Sequence, residues 1–278
     1  MAGLREHGYI PGQNLVIECR WDRGRYELAP ALAAELVRLK VDLIVVTSGP
    51  RVRATKDATS TIPIVMVYVA EPVTNKLVAN LAHPGGNVTG VTYTVGPEIA
   101  GKYLQLLKEA IPTLSRVAVL LYPDYPVTPA FLGEAQAAAR ALGMTLQSYD
   151  VRAPEEFESA FTAMTRARAD GLLVQVHPIV FAHPRRVADL AVQSRLPVVY
   201  PYRDLVMEGG LMAYEANAPA MFHRVPMYVD KILKGAKPGD LPVEQPTKFD
   251  LIINLKTAKA LGLTIPQSIL MRADQVIE

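Results

Sequence analysis

The chain has 278 residues, half of them apolar, with 29 basic and 27 acidic side chains for a net charge of +2. This length and apolar content support a large buried core and suit two lobes of ordinary domain size better than one. Near-balanced, scattered charge excludes a phosphate-tracking surface and hence nucleic acid as an expected partner, no run approaches the roughly 18 uncharged apolar residues of a membrane span, and the single Cys19 excludes an intrachain disulfide.

Read in chain order, Ala2 to Gly8 is the end of a helix stopped by Gly8. A turn follows at Pro11 and Gly12, and then a strand over Leu15 to Ile17, with Cys19 expected as a buried, inert thiol. The N-terminus lacks a basic segment followed by an apolar one, so the chain as it stands carries no export signal. A doubly wound lobe should begin with a strand that lies centrally beside the ligand crevice. The first strand of lobe I is therefore expected to be missing from this chain, with Met1 an internal residue and the strand and an export signal encoded upstream.

Tyr26 to Leu39 has helical spacing, with Leu28, Leu32, Leu36 and Leu39 on one face. Short β-branched runs then recur at Leu43 to Val46, Ile64 to Val69, Val88 to Thr92, Val117 to Leu121, Gly171 to Val176 and Val198 to Tyr200, with a shorter one at Leu211 to Ala213. Runs this short and this uniformly apolar predict parallel strands covered on both faces. Between them, Thr128 and Pro129 read as an N-cap and first helical residue of an Ala-rich helix ended by Gly143. Pro154, Glu155 and Glu156 open another helix over Phe157 to Arg166.

The alternation specifies an α/β architecture of two doubly wound, Rossmann-like lobes. Residues 1–93 and 215–240 are assigned to lobe I, and 94–214 and 241–278 to lobe II. No low-complexity linker separates them, which fits lobes joined by crossover strands.

Enzyme signatures are absent: there is no Gly-x-Ser-x-Gly elbow, phosphate loop or His-Glu-x-x-His helix, and no catalytic residue, cofactor or metal is assigned. Pro84 to Asn87 is glycine-rich but precedes a strand, so it reads as a turn. In open α/β sheets, ligands bind outside the carboxyl ends of the strands. Those ends select Thr47, Ser48, Tyr68, Glu71, Thr92 and Tyr93 in the first lobe, and Tyr122, Asp124, Tyr125, His177, Tyr200 and Tyr202 in the second, with Tyr214 after the short Leu211 strand. Seven of the 12 tyrosines fall in this set, which favours an aromatic-lined cleft for a small planar or apolar ligand. Each tyrosine is equally readable as a strand residue with a wet tip, His177 as a cap or a ligand contact, and Glu71 as the cap of a helix beginning near Asn75 or the partner of an ammonium group.

Three segments carry a family resemblance: Val243 to Glu278, Leu81-Ala-His-Pro-Gly-Gly-Asn-Val-Thr-Gly90 and Tyr228-Val-Asp-Lys-Ile-Leu-Lys-Gly-Ala-Lys-Pro238. From about Gly3 to the end, the chain resembles ABC-transporter substrate-binding proteins related to the tryptophan and tyrosine uptake receptors. The resemblance implies a periplasmic-binding-protein fold of type I, with three crossover strands. It also implies an extracytoplasmic, periplasmic location and peripheral contact with membrane permease subunits. The lobes would close over a small aromatic or branched apolar amino acid, or a related carboxylic acid, held in the interlobe cleft. Glu71-Pro-Val and Ala213-Tyr-Glu215 depart from the family's usual Asp-Pro-Val and Ser-Tyr-Gly, which puts ligand identity in question. Rival readings are a ligand-sensing regulatory domain of the same fold, for which no DNA-binding helix-turn-helix precedes the first lobe, and an α/β enzyme.

Overall fold

A computed structural model describes residues 2–23, 25–93, 95–175 and 177–278. The chain divides into two compact units, residues 1–94 with 217–248 and residues 95–216 with 249–278, so it passes from one unit to the other three times. The returning segment stays with unit 1 to Lys248 rather than leaving at 240, because its Val243 and Glu244 hydrogen-bond to Leu81 and Gly90.

Unit 1 is built on three parallel strands in the order β1 (Ile44–Thr47), β2 (Ile64–Val69) and β3 (Val88–Thr92). β2 and β3 are buried against the helix Gly49–Ala58 and the loop after β2, with Val52, Ile64, Met66, Leu77, Val88 and Val243 forming the core, whereas the edge strand β1 is not covered on both faces as expected and leaves Val45 exposed. Gly90 lets β3 run close beside β2: it pairs with Met66 at φ 132°, and a Cβ there would collide with the Met66 carbonyl. The ladder then slips between Val67 and Val69, leaving Tyr68 as a bulged residue.

The strand expected at Leu15 to Ile17 does not form. Beyond an isolated bridge between Pro11 and Leu15, this segment joins no sheet among the described residues. Val16 is 83% exposed, and the Cys19 thiol is exposed rather than buried. β-propensity makes a strand only where a neighbour supplies hydrogen bonds. The preceding helix, Ala2–Glu6, ends before Gly8 as expected, with Gly8 in the left-handed region at φ 84°. In the next helix, Ala29 and Ala33 are the buried residues; the leucine stripe lies at its margin, and Leu39 is exposed.

Unit 2 carries a seven-stranded sheet made of β4 (Arg116–Leu121), β5 (Thr145–Asp150), β6 (Gly171–Val174), β7 (Val198–Tyr200), β8 (Met212–Ala216), β9 (Phe249–Asn254) and β10 (Gln275–Ile277). Their order across the sheet is β10-β9-β8-β7-β6-β4-β5, with every neighbouring pair parallel except β8 and β9. An all-parallel sheet is thus corrected at one pair. β9 begins where the chain re-enters unit 2 at Phe249, so it runs back along β8. The expected end of β6 at Val176 lies outside the described residues, and the short Leu211 strand extends to Ala216. The helices Ile99–Ala110 and Thr128–Ala141 bury Leu104, Leu107, Phe131 and Ala135 against Val119, Leu173, Val199, Met212 and Ile253.

Thr128 does not cap its helix. It is the first helical residue, and its hydroxyl donates to the Tyr122 carbonyl at 2.6 Å, so the chain trades a cap for a tie across the end of β4. Gly143, at φ 67°, and the opening at Pro154 to Glu156 are as read from the sequence.

Candidate functional site

The carboxyl ends of the unit 1 strands concentrate backbone strain. Ser48 (φ 65°), Tyr68 (φ 56°) and Glu71 (φ 46°) all lie in the left-handed region that bulky residues avoid, a placement costing on the order of 1 to 3 kcal/mol each. Such strain persists only where the surroundings enforce it, and it collects at binding sites. Here the bulge turns Tyr68 toward Tyr93, and the two rings meet with centroids 4.7 Å apart at 36°. Thr92 fixes the end of β3 by donating its hydroxyl to the Val69 carbonyl at 2.6 Å, and the Tyr93 amide donates to the same carbonyl. Thr47 ends β1, half-buried, and Ser48 precedes the helix Gly49–Ala58.

Glu71 does not cap a helix, because residues 72–76 form turns instead. Its carbonyl accepts from the Asn75 amide at 2.8 Å, and its carboxylate accepts from the Thr74 hydroxyl at 3.2 Å. Burial raises its pKa above the usual carboxylate range, with the Thr74 hydrogen bond pulling the other way.

Sequence reasoning missed the group beside Ser48. Asp22, 7% exposed, accepts two hydrogen bonds from Arg51, at 2.6 Å from Nε and 2.9 Å from Nη2. The Arg51 guanidinium lies 4.7 Å from the Tyr26 ring centroid and donates to the Ser48 hydroxyl at 3.3 Å. A surface cleft of about 630 Å³ opens here, lined by Trp21, Asp22, Leu32 and Arg51 among others. The lone Trp of the chain, set between charged residues, was the available signal.

In unit 2 the sequence set divides. Tyr122, Tyr125 and His177 come together: the His177 ring stacks on Tyr122 at 3.9 Å and 18° and meets the edge of Tyr125 at 5.4 Å. Behind them, buried Gln175 accepts from the Tyr122 amide at 3.1 Å and pairs with Thr128. This glutamine ties β6 to β4, and it was hidden within an apolar run. The capping reading of His177 is realised, since its Nδ1 accepts from the Ile179 amide at 3.1 Å. Desolvation lowers the imidazole pKa to about 4. Tyr202 packs its ring against Phe181 at 5.1 Å, just before the helix Arg203–Met207.

Three expected residues stand elsewhere. Tyr200 is fully buried in the core, its hydroxyl without a hydrogen-bond partner among the described residues. β7 is a central strand covered on both faces, so Tyr200 is buried like Val198 and Val199 before it. Tyr214 lies within β8 rather than beyond a strand end and stacks on Phe249 at 5.0 Å, with Tyr103 edge-on at 6.4 Å. Asp124 is exposed and paired with Arg152 at 3.2 Å on the surface. The neighbouring departure, Glu215, is consumed internally: its carboxylate accepts from the Arg203 side chain and from the Arg203 amide at 2.8 Å.

Comparison with known proteins agrees with this frame. The profile described as "ABC transporter substrate binding protein" matches residues 1–277. A tyrosine-binding protein of Clostridioides difficile is 25% identical over 263 residues, 95% of this chain and 75% of that one. Among solved structures, the ABC domain from Streptococcus pneumoniae in complex with L-Trp is 29% identical with a TM-score of 0.76, covering 99% of this chain and 93% of that one. A conserved domain protein from Vibrio cholerae is 28% identical with a TM-score of 0.77, covering 99% and 92%. The fold class read from the sequence, the type I periplasmic-binding-protein fold, is that of these neighbours. The chain belongs to the ABC transporter substrate-binding protein family.

Proposed function

We propose that this receptor takes up a small aromatic or branched apolar amino acid, or a related carboxylic acid, for delivery to the permease subunits of an importer on the extracytoplasmic side of the membrane. The observation that carries the ligand class is the Tyr68–Tyr93 pair, held on a strained bulge beside Ser48 and Glu71. Flat rings held at fixed angles take a planar or branched apolar body, while a carboxylate and hydroxyls beside them take the polar head of an amino acid. The tyrosine-binding relative and the L-Trp-bound neighbour support the same class. Among the described residues no helix is long and apolar enough to cross a membrane.

A thermal-shift screen tests the ligand class. Binding to the native state alone stabilises by about 2.7 kcal/mol at a hundredfold excess over Kd. L-tyrosine, L-tryptophan or L-leucine is expected to raise the midpoint. A shift with sugars and none with these acids overturns the assignment.

A further inference from the structure

We propose that His177 is a specificity-determining residue that presents its Nε2–H to ligands as a fixed hydrogen-bond donor, so that unit 2 selects ligands carrying an oxygen acceptor. The proposal rests on the solute-receptor reading above and names the chemistry of one part of that site.

The tautomer follows from the cap. Neutral imidazole has one donor and one acceptor nitrogen. Nδ1 accepts the Ile179 amide at 3.1 Å, so the ring proton sits on Nε2. The ring cannot readily turn to offer the other edge, because Tyr122 covers one face at 3.9 Å and Tyr125 abuts it at 5.4 Å. Tyr122 is itself tied down, its amide donating to Gln175 and its carbonyl accepting from Thr128.

The donor remains reachable. His177 keeps 8% of its surface exposed, and the hydrogen bond described for its ring is made through Nδ1, which leaves Nε2 for a ligand. Burial also keeps the imidazole neutral well below pH 6, so the ring offers a directed donor rather than a cation. A ligand that covers this nitrogen without an acceptor strands the N–H, which reduces affinity by roughly tenfold or more. An ammonium group there would set donor against donor. The shared chemistry is an oxygen lone pair, carried either by a ring hydroxyl or by the carboxylate.

The test uses the whole chain with L-tyrosine and L-phenylalanine as probes. In wild type, the ¹⁵N spectrum of His177 is expected to show the Nε2-protonated tautomer, and L-tyrosine should slow exchange of that proton. His177→Asn keeps a capping acceptor for Ile179 but removes the Nε2 donor. It should weaken L-tyrosine binding by about tenfold. Retained L-phenylalanine affinity in that variant assigns the acceptor to the ring hydroxyl; an equal loss, together with slowed Nε2–H exchange on adding L-phenylalanine to wild type, assigns it to the carboxylate. An Nδ1-protonated tautomer, or His177→Asn binding both probes within twofold of wild type, overturns the proposal. If neither probe binds wild type, the amino-acid reading fails, and the tautomer spectrum still decides the donor assignment.

Discussion

Gly90→Ala is expected to unfold the β2–β3 edge of unit 1, at a cost of about 3 to 5 kcal/mol against a total stability on the order of 5 to 15. Two effects add. Gly90 sits at φ 132°, a conformation open essentially to glycine alone, and the new methyl would strike the Met66 carbonyl across the ladder. Backbone cannot step aside there, because the Thr89 hydroxyl donates to the Leu241 carbonyl, the Glu244 backbone bonds to Gly90 and Thr92, and the Thr92 hydroxyl bonds to Val69, which holds β3 on both sides of Gly90. The displaced strand would carry Tyr93 away from Tyr68, so ligand binding should fall with stability. Thermal unfolding and hydrogen exchange check this: protection should be lost at β2 and β3 and retained at β4 and β6. A variant with wild-type midpoint and protection would contradict the close approach.

The second large effect is on pH dependence. His177 has a folded pKa of about 4 against an unfolded value near 6.5, so the unfolded chain binds the extra proton first as pH falls. Its contribution is fully present above pH 6.5, is lost as pH falls from 6.5 to 4, and changes no further below 4, for a total of about 3 kcal/mol. Glu71 acts in the opposite sense. Its raised pKa favours the folded state at low pH and loses that contribution as pH rises from the unfolded value through the folded one. Comparing wild type with His177→Asn cancels the Glu71 contribution. The variant should lack the slope between pH 4 and 6.5, measured as denaturant midpoints across that range, and parallel curves would show that His177 titrates normally.

What the sequence disclosed depended on how local the cause was. Runs such as Ile64 to Val69 and Val117 to Leu121 announce buried parallel strands because both faces need apolar side chains. β5, Thr145–Asp150, gave no such sign: as an edge strand it is largely exposed, with mixed polarity. Leu15 to Ile17 erred in the other direction, since composition cannot report whether a ladder neighbour is present. The carboxyl-end rule brought Tyr122, Tyr125 and His177 into one set because strand order alone decides it. The same rule sent Tyr200 to the cleft, but β7 is a central strand covered on both faces, and Tyr200 is still within that cover. Positive φ at Ser48, Tyr68 and Glu71 was illegible, because none is a residue type that signals a left-handed turn. The Asp22–Arg51 pair joins residues 29 apart and exists only once the fold is made.

Native mass spectrometry of the purified chain weighs the bound molecule itself. A small aromatic or branched apolar acid is expected to copurify at one per chain, to leave on mild activation with its mass unchanged, and to be restored by adding L-tyrosine, L-tryptophan or L-leucine. A copurifying sugar, or release of a chemically altered added acid, would contradict the reading of this chain as an amino-acid receptor.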